Sequence, residues 1–119
     1  MPYVDGFVIP VPKKNLAAYR RIARKAAKVW RDHGALEVLE CSGEDLQMKF
    51  SMSFPKLVKL KRGETVVFSW IRFKSRADRD RVNAKVMKDP RMAAMIKGMT
   101  MPFNVKRMVY GGFKVMVNG

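Results

Sequence analysis

Thr65-Val66-Val67-Phe68-Ser69-Trp70-Ile71-Arg72-Phe73 is the stretch on which the fold turns. β-Branched and aromatic residues dominate it, so it reads as a strand. Side chains alternate along a strand, which sends Val66, Phe68 and Trp70 to one face and Val67, Ile71 and Phe73 to the other. A strand with one wet face alternates apolar with polar residues; here both faces are apolar. Immediately downstream, Ser75 starts a helix, with Asp78 in a capping-box-like position three residues on. That helix runs to Asp89, where Pro90 interrupts it. Met92, Met95, Ile96 and Met99 then recur at the spacing of a short amphipathic helix.

Toward the N-terminus, Tyr3 to Ile9 reads as a first strand ending at Pro10-Val11-Pro12. Asn15 is placed to cap a helix from Leu16 to about His33, with Gly34 as its stop and Ala35 to Cys41 as the next strand. A last strand spans Val105 to Val117 and contains Gly111-Gly112, read as a bulge or a close backbone approach. The order is βαββαβ, with an extra segment, residues 42–64, between strands two and three. The expected class is α+β: a ferredoxin-like antiparallel sheet with helices on one face, in one domain over residues 1–119. Within the extra segment, Met48, Phe50, Met52 and Phe54 alternate with Lys49, Ser51 and Ser53. That period of two suggests an extended edge strand or arm, and a loop draped on the core fits equally.

The last strand repeats the two-faced pattern, with Val109, Phe113, Val115 and Val117 opposite Met108, Tyr110 and Met116. Two helices cover only one face of such a sheet, and a bare second face is a larger apolar patch than monomers tolerate. A second copy related by a two-fold axis is the simplest cover, giving a homodimeric α/β barrel. The competing arrangement folds the extra segment back over the sheet.

Charge sets a second constraint. Lys and Arg number 25 against 10 Asp and Glu, a net charge of +15 over 119 residues. Such a field concentrates polyanions. On the first helix Arg20, Arg21, Arg24, Lys25, Lys28, Arg31 and Asp32 share one arc of about 140°, opposite Leu16, Tyr19, Ile22, Ala23, Ala26, Val29 and Trp30. Arg20, Arg24, Lys28 and Arg31 are therefore the candidate polyanion-binding residues, against the plainer reading of a solvated face. One cysteine, Cys41, and one histidine, His33, exclude an internal disulfide and the usual zinc sites, so no metal and no cofactor is expected. Met1 to Asp5 lacks the pattern of a signal peptide, and no apolar run reaches the ~18 residues of a membrane span. A cytoplasmic protein without membrane contact is expected.

Tyr3-Val4-Asp5-Gly6-Phe7-Val8, Pro10-Val11-Pro12-Lys13-Lys14-Asn15 and Val29-Trp30-Arg31-Asp32-His33-Gly34-Ala35-Leu36-Glu37 resemble the YbaA-like bacterial family, domain of unknown function 1428. So do Thr65 to Ile71, Asp80-Arg81-Val82-Asn83-Ala84-Lys85-Val86-Met87, Asp89-Pro90-Arg91, Met101-Pro102-Phe103 and Tyr110-Gly111-Gly112-Phe113. The resemblance spans nearly the whole chain, and is weaker from Gln47 to Met52. It implies a dimeric α/β-barrel fold with no established activity or cofactor. The wider superfamily includes small monooxygenases and haem-degrading proteins, but chemistry does not follow from fold. Asn104 stands where the family pattern has Asp, which argues against an acid role there.

The catalytic candidates are Asp5, His33 and Tyr110. Asp5 shares a face with Tyr3, Phe7 and Ile9, so it needs a partner or a wet cavity; Arg72 and Arg107 are the expected partners. His33 falls at a helix end, where donation to a carbonyl is the plainer role and a base or haem ligand beside Asp5 the sharper one. Tyr3, Phe68, Trp70, Arg72 and Tyr110 are the candidate ligand-binding residues of a sheet-lined cavity. The expected function is a homodimer that binds a small apolar or amphipathic molecule. A cofactor-independent monooxygenase-like enzyme is one alternative. Another is an RNA-binding module that stacks bases on Phe68 and Trp70 and uses the basic helix face, since RNA-recognition motifs share the βαββαβ order.

Overall fold

A computed structural model describes residues 1–97 and 101–119. The elements are β1 (Tyr3–Pro12), α1 (Leu16–Asp32), β2 (Glu37–Ser42), α2 (Phe54–Leu57), β3 (Glu64–Phe73), α3 (Arg76–Lys88), α4 (Pro90–Ile96) and β4 (Val109–Lys114). Lys13–Asn15 and Val105–Arg107 are single 3-10 turns. The final strand is therefore shorter than its apolar pattern suggests, and Met99 lies outside the described residues. The four strands form one antiparallel sheet in the order β2-β3-β1-β4, the ferredoxin-like arrangement.

Local chemistry accounts for the boundaries. Gly34 closes α1 in a Schellman turn: its N–H donates to Arg31 O and that of Ala35 to Trp30 O, at 3.1 and 3.0 Å. The turn needs Gly34 at φ +120°, which side chains resist. Ser75 Oγ accepts from the Asp78 N–H at 3.1 Å and caps α3. Asn15 precedes α1 without capping it by side chain; its amide instead donates to Pro102 O at 3.0 Å. Gly111 and Gly112 are not a bulge. They continue the ladder opposite Gly6 and Asp5, and a Cβ on Gly112 would meet the Tyr3 hydroxyl at 2.5 Å. β1 carries Pro10 and Pro12 because β4 reaches only as far as Val8. The Lys13 N–H points toward the β3 side, to Gly63 O, so alternation turns the nitrogens of residues 10 and 12 to the unpaired side.

Register separates the two faces. Odd-numbered residues of β1 and β3 face α1, α3 and α4, where Tyr3, Val29, Ile71, Phe73, Val82, Val86 and Met92 form the main cluster. Ile9, Val11, Tyr19, Ala23 and Val67 continue it. Phe73 and Val82 are wholly buried, each contributing about 1.5–3 kcal/mol of transfer free energy. On the opposite face Val8, Val58 and Val66 pack with Leu46 and Leu60. The segment between β2 and β3 thus folds back over one end of the sheet, as a loop and a single helical turn. The expected edge strand is absent from it: Met48 and Met52 are exposed, and Phe50 is fully so. Arg107 holds this cover in place, donating to Glu64 Oε2 at 2.6 Å and to Lys59 O at 3.1 Å. The rest of that face is bare, with Leu39, Phe68, Trp70, Val109 and Phe113 each more than a third exposed.

Candidate functional site

Asp5 is the most buried ionisable group on β1, with 1% of its surface exposed. Its partner is Arg79 of α3, at 3.1 Å, rather than Arg72 or Arg107. Arg72 extends from the opposite face and lies 3.8 Å from Glu37, while Arg107 is committed to Glu64. The second Asp5 oxygen accepts from the Tyr110 hydroxyl at 3.2 Å and from the Asn83 amide at 3.4 Å. Asn83 in turn accepts from the Trp30 indole N–H at 3.0 Å. The Arg79 guanidinium sits 4.9 Å over the Tyr3 ring. Its Nε lies 2.9 Å from Asp80 Oδ1, too poorly aimed for a hydrogen bond, so that buried N–H has none. Desolvation, reinforced by the Asp5 charge, raises the Tyr110 pKa above its usual value. The network joins β1, β4, α1 and α3 through one carboxylate.

His33 lies apart from it. Its Nε2 is 2.7 Å from Asp89 Oδ2, and Asp89 also receives the Arg91 guanidinium at 2.9 Å. The Arg91 hydrogen bond, followed by that from His33, holds the Asp89 carboxyl well below the usual carboxylate range. His33 and Asp5 form no common site. The sharper reading of the histidine has no geometric support; it pins the end of α1 to the α3–α4 junction.

The five residues expected to share a ligand site divide between two faces. Tyr3 and Tyr110 accompany Asp5 on the helix side, whereas Phe68, Trp70 and Arg72 lie on the outer side. Register is the reason: Gly6 pairs with Trp70 and Phe7 with Tyr110, so the tyrosines take odd-residue parity and the tryptophan even. On the outer face Phe54, Phe68 and Trp70 form an edge-to-face row with centroid separations of 6.0 and 6.4 Å. The basic residues Arg20, Arg24, Lys28 and Arg31 are exposed as expected, but α1 covers the other side of the sheet. An RNA strand contacting both the aromatics and the basic helix would have to pass around the sheet edge.

A cavity lies elsewhere, between α1 and the β2–β3 half of the sheet. An outer chamber of about 500 Å³ opens between Arg20 and Arg24 of α1 and Glu40 to Ser42 of β2. An inner chamber of about 240 Å³ continues toward Trp30, Met95 and Ile96. Tyr19, Ala23, Ala27, Val38 and Glu40 line both. Alanines at 23, 26 and 27 on α1 leave the space that larger side chains would fill. Where the chambers meet, the Tyr19 hydroxyl donates to Glu40 Oε1 at 2.7 Å. Glu40 is exposed as a residue, and its carboxylate meets the Tyr19 hydroxyl of α1. Desolvation raises its pKa, against hydrogen bonds from Tyr19 and Ser69. Burial, then the Glu40 charge, pushes the Tyr19 hydroxyl well above its usual range. None of the five expected ligand residues lines either chamber. Tyr19 looked like plain core in the apolar arc of its helix. Glu40 had one available signal, its parity with core-facing Val38. Among the described residues no three His, Cys, Asp or Glu side chains gather as a metal site.

Fold and site together define a ferredoxin-like α+β protein with a helix-covered cavity and one partly bare sheet face. The family model for proteins of unknown function, DUF1428, matches residues 2–105. The chain is 45% identical over 118 residues to uncharacterized protein YbaA of Escherichia coli strain K12, covering 99% of each. It therefore belongs to the DUF1428 family, as the motifs of its strands and helices imply. Among solved structures, a dimeric ferredoxin-like protein from an uncultured marine organism superposes with a TM-score of 0.60 at 12% identity, covering 100% of both chains. A nipsnap family protein of unknown function from Agrobacterium tumefaciens gives 0.59 at 16% identity, covering 96% of this chain and 87% of that one. These likenesses establish the fold.

Proposed function

We propose that this protein is a single-domain homodimer in which each subunit binds a small amphipathic molecule in the cavity between α1 and the sheet. The cavity carries the reading: two adjoining chambers, apolar in most of their lining, converge on one hydrogen-bonded polar pair, Tyr19 and Glu40. That composition is the usual make-up of a small-molecule site. Dimerisation is supported by the bare half of the outer face, where Leu39, Phe68, Trp70, Val109 and Phe113 stay 38–60% exposed. It is also supported by the dimeric ferredoxin-like neighbour of the same fold. A reducing cytoplasm is the proposed setting, in keeping with the single exposed thiol of Cys41; no helix among the described residues is long and apolar enough to cross a membrane.

Native mass spectrometry of freshly purified protein tests both parts. A dimer is expected, with a co-purified small molecule released on denaturation. Phe68→Glu, which places a charge on the bare face beside its covered end, is expected to give a folded monomer by light scattering. A wild-type monomer at tens of micromolar refutes the dimer, and a dimer unaffected by Phe68→Glu refutes this interface.

A further inference from the structure

The cavity mouth is chemically one-sided. Arg20 and Arg24, one turn apart on α1, stand at the rim of the outer chamber and are exposed. They repel one another at this spacing. Among the described residues neither takes part in an ion pair, whereas Lys28 one turn later has Asp32 at 3.3 Å. Arg21 joins the same two arginines along an open groove on the helix surface just outside. The single acid in the lining, Glu40, faces them from β2, is shared by both chambers and is already held by Tyr19. Beyond it the inner chamber is almost entirely apolar, with Ile22, Trp30, Met95 and Ile96 in its wall. Along the two adjoining chambers the order is therefore unpaired guanidinium, hydrogen-bonded pair, apolar lining.

We infer that the ligand is an acid-headed single-chain amphipath, its anionic head held by Arg20 and Arg24 and its apolar chain lying past Tyr19 and Glu40 in the inner chamber. This rests on the cavity reading above. Arginine suits the head because its planar fork pairs with two oxygens of a carboxylate or phosphate at once. A cationic amphipath has the opposite problem: it must pass two arginines on a chain of net charge +15 to reach one acid that is already bonded. A neutral amphipath leaves both guanidinium groups without a counter-charge.

Decanoate, decanol and decyltrimethylammonium, each below its micellar concentration, separate these cases when titrated against the intact protein. Trp30 fluorescence reports filling of the inner chamber. Decanoate is expected to bind about tenfold more tightly than decanol, the scale of one or two charge-assisted hydrogen bonds at a solvated site. The cation is expected to bind more weakly than either. In Arg20→Gln/Arg24→Gln, whose changes lie on the solvent side of α1, the gap between decanoate and decanol should close while decanol affinity stays the same. Ala27→Phe, which fills the junction of the chambers, should abolish binding of all three and so distinguish the cavity from the bare sheet face.

Decanol binding as tightly as decanoate, or a gap that survives loss of both arginines, overturns the anionic head and leaves the cavity reading standing. Failure of every probe to bind, or undiminished binding to a folded Ala27→Phe, overturns the cavity reading and this inference with it. If Ala27→Phe does not fold, the arginine pair still decides the question of the head.

Discussion

Replacing Asp5 by Asn tests the network that ties β1 to α3 and β4. The substitution keeps the shape of the side chain and removes its charge. Asp5 accepts from three donors, those of Arg79, Tyr110 and Asn83, at 3.1, 3.2 and 3.4 Å. An amide offers one oxygen and one NH₂, so at least one donor is left facing another donor. The guanidinium, only 15% exposed, loses its buried counter-ion and keeps only the exposed carboxylate of Asp80 beside its Nε. Breaking one side of a buried pair costs about 3–5 kcal/mol. The residual exposure of Arg79 and the long Asn83 contact favour the lower end, about 3 kcal/mol. For a chain of this length about 1 kcal/mol moves Tm by roughly 3–5 °C, so a fall of about 9–15 °C is expected. Urea titration followed by circular dichroism measures the change, at one protein concentration because association adds its own mass-action term. Asp5→Leu combined with Arg79→Met removes both charges and should cost less than Asp5→Asn alone. An Asp5→Asn protein within about 1 kcal/mol of wild type, or a double variant no better than the single one, would refute this account.

Two further outcomes follow from the helix end and from the cavity. Gly34→Ala should destabilise the fold by about 1–2 kcal/mol, because φ is +120° there and the new Cβ would press on Arg81 Nη2 and Val82 Cγ2, both at 3.3 Å; thermal melts with no loss would contradict the strained turn. Glu40 has a folded pKa raised above its unfolded value, so its ionised form costs stability at high pH, and that cost fades as pH falls through the folded pKa toward about 4.3. Glu40→Gln should accordingly melt higher than wild type at pH 8 with the advantage shrinking by pH 5, and an advantage that does not shrink counts against desolvation as its cause.

The β-branched and aromatic run of Thr65 to Phe73 was enough to identify β3 as a strand, and Ser75 and Gly34 marked helix ends through local bonds that need no knowledge of the rest of the chain. Partners distant in sequence were less legible. Asp5 required a cation, but α3 offers Arg76, Arg79 and Arg81, and only the docking angle of that helix selects Arg79. Parity within β3 put Arg72 on the face of Phe68 and Trp70, but only the register, which sets Asp5 opposite Ile71, excludes it as the partner. The same register separates Tyr3 and Tyr110 from those aromatics, and no pattern within a single strand supplies it. The alternation from Met48 to Phe54 left strand and loop equally open, because period two describes a strand only where an edge is there to receive it. The chain instead leaves the sheet at Ser42, and Gly43 bonds to Val66 O at 2.8 Å on its way across the outer face. The cavity was invisible for another reason: it is a space left by small residues, and three alanines on an amphipathic helix look the same whether a neighbour fills the gap or not.

The prolines near the end of β1 bear on how two copies can meet. Beyond Val8 this strand has no β4 neighbour, and an open border of that kind ordinarily offers a row of amide hydrogens to any extended chain that drifts past. Pro10 and Pro12 supply none, and they occupy the positions that point outward. A passing strand therefore finds acceptors there without donors, and ladder growth from that corner into fibrils or open-ended stacks is blocked. The rim of this strand is thereby closed to strand addition, and the face-to-face pairing proposed above is the kind of contact that closes on itself after one partner.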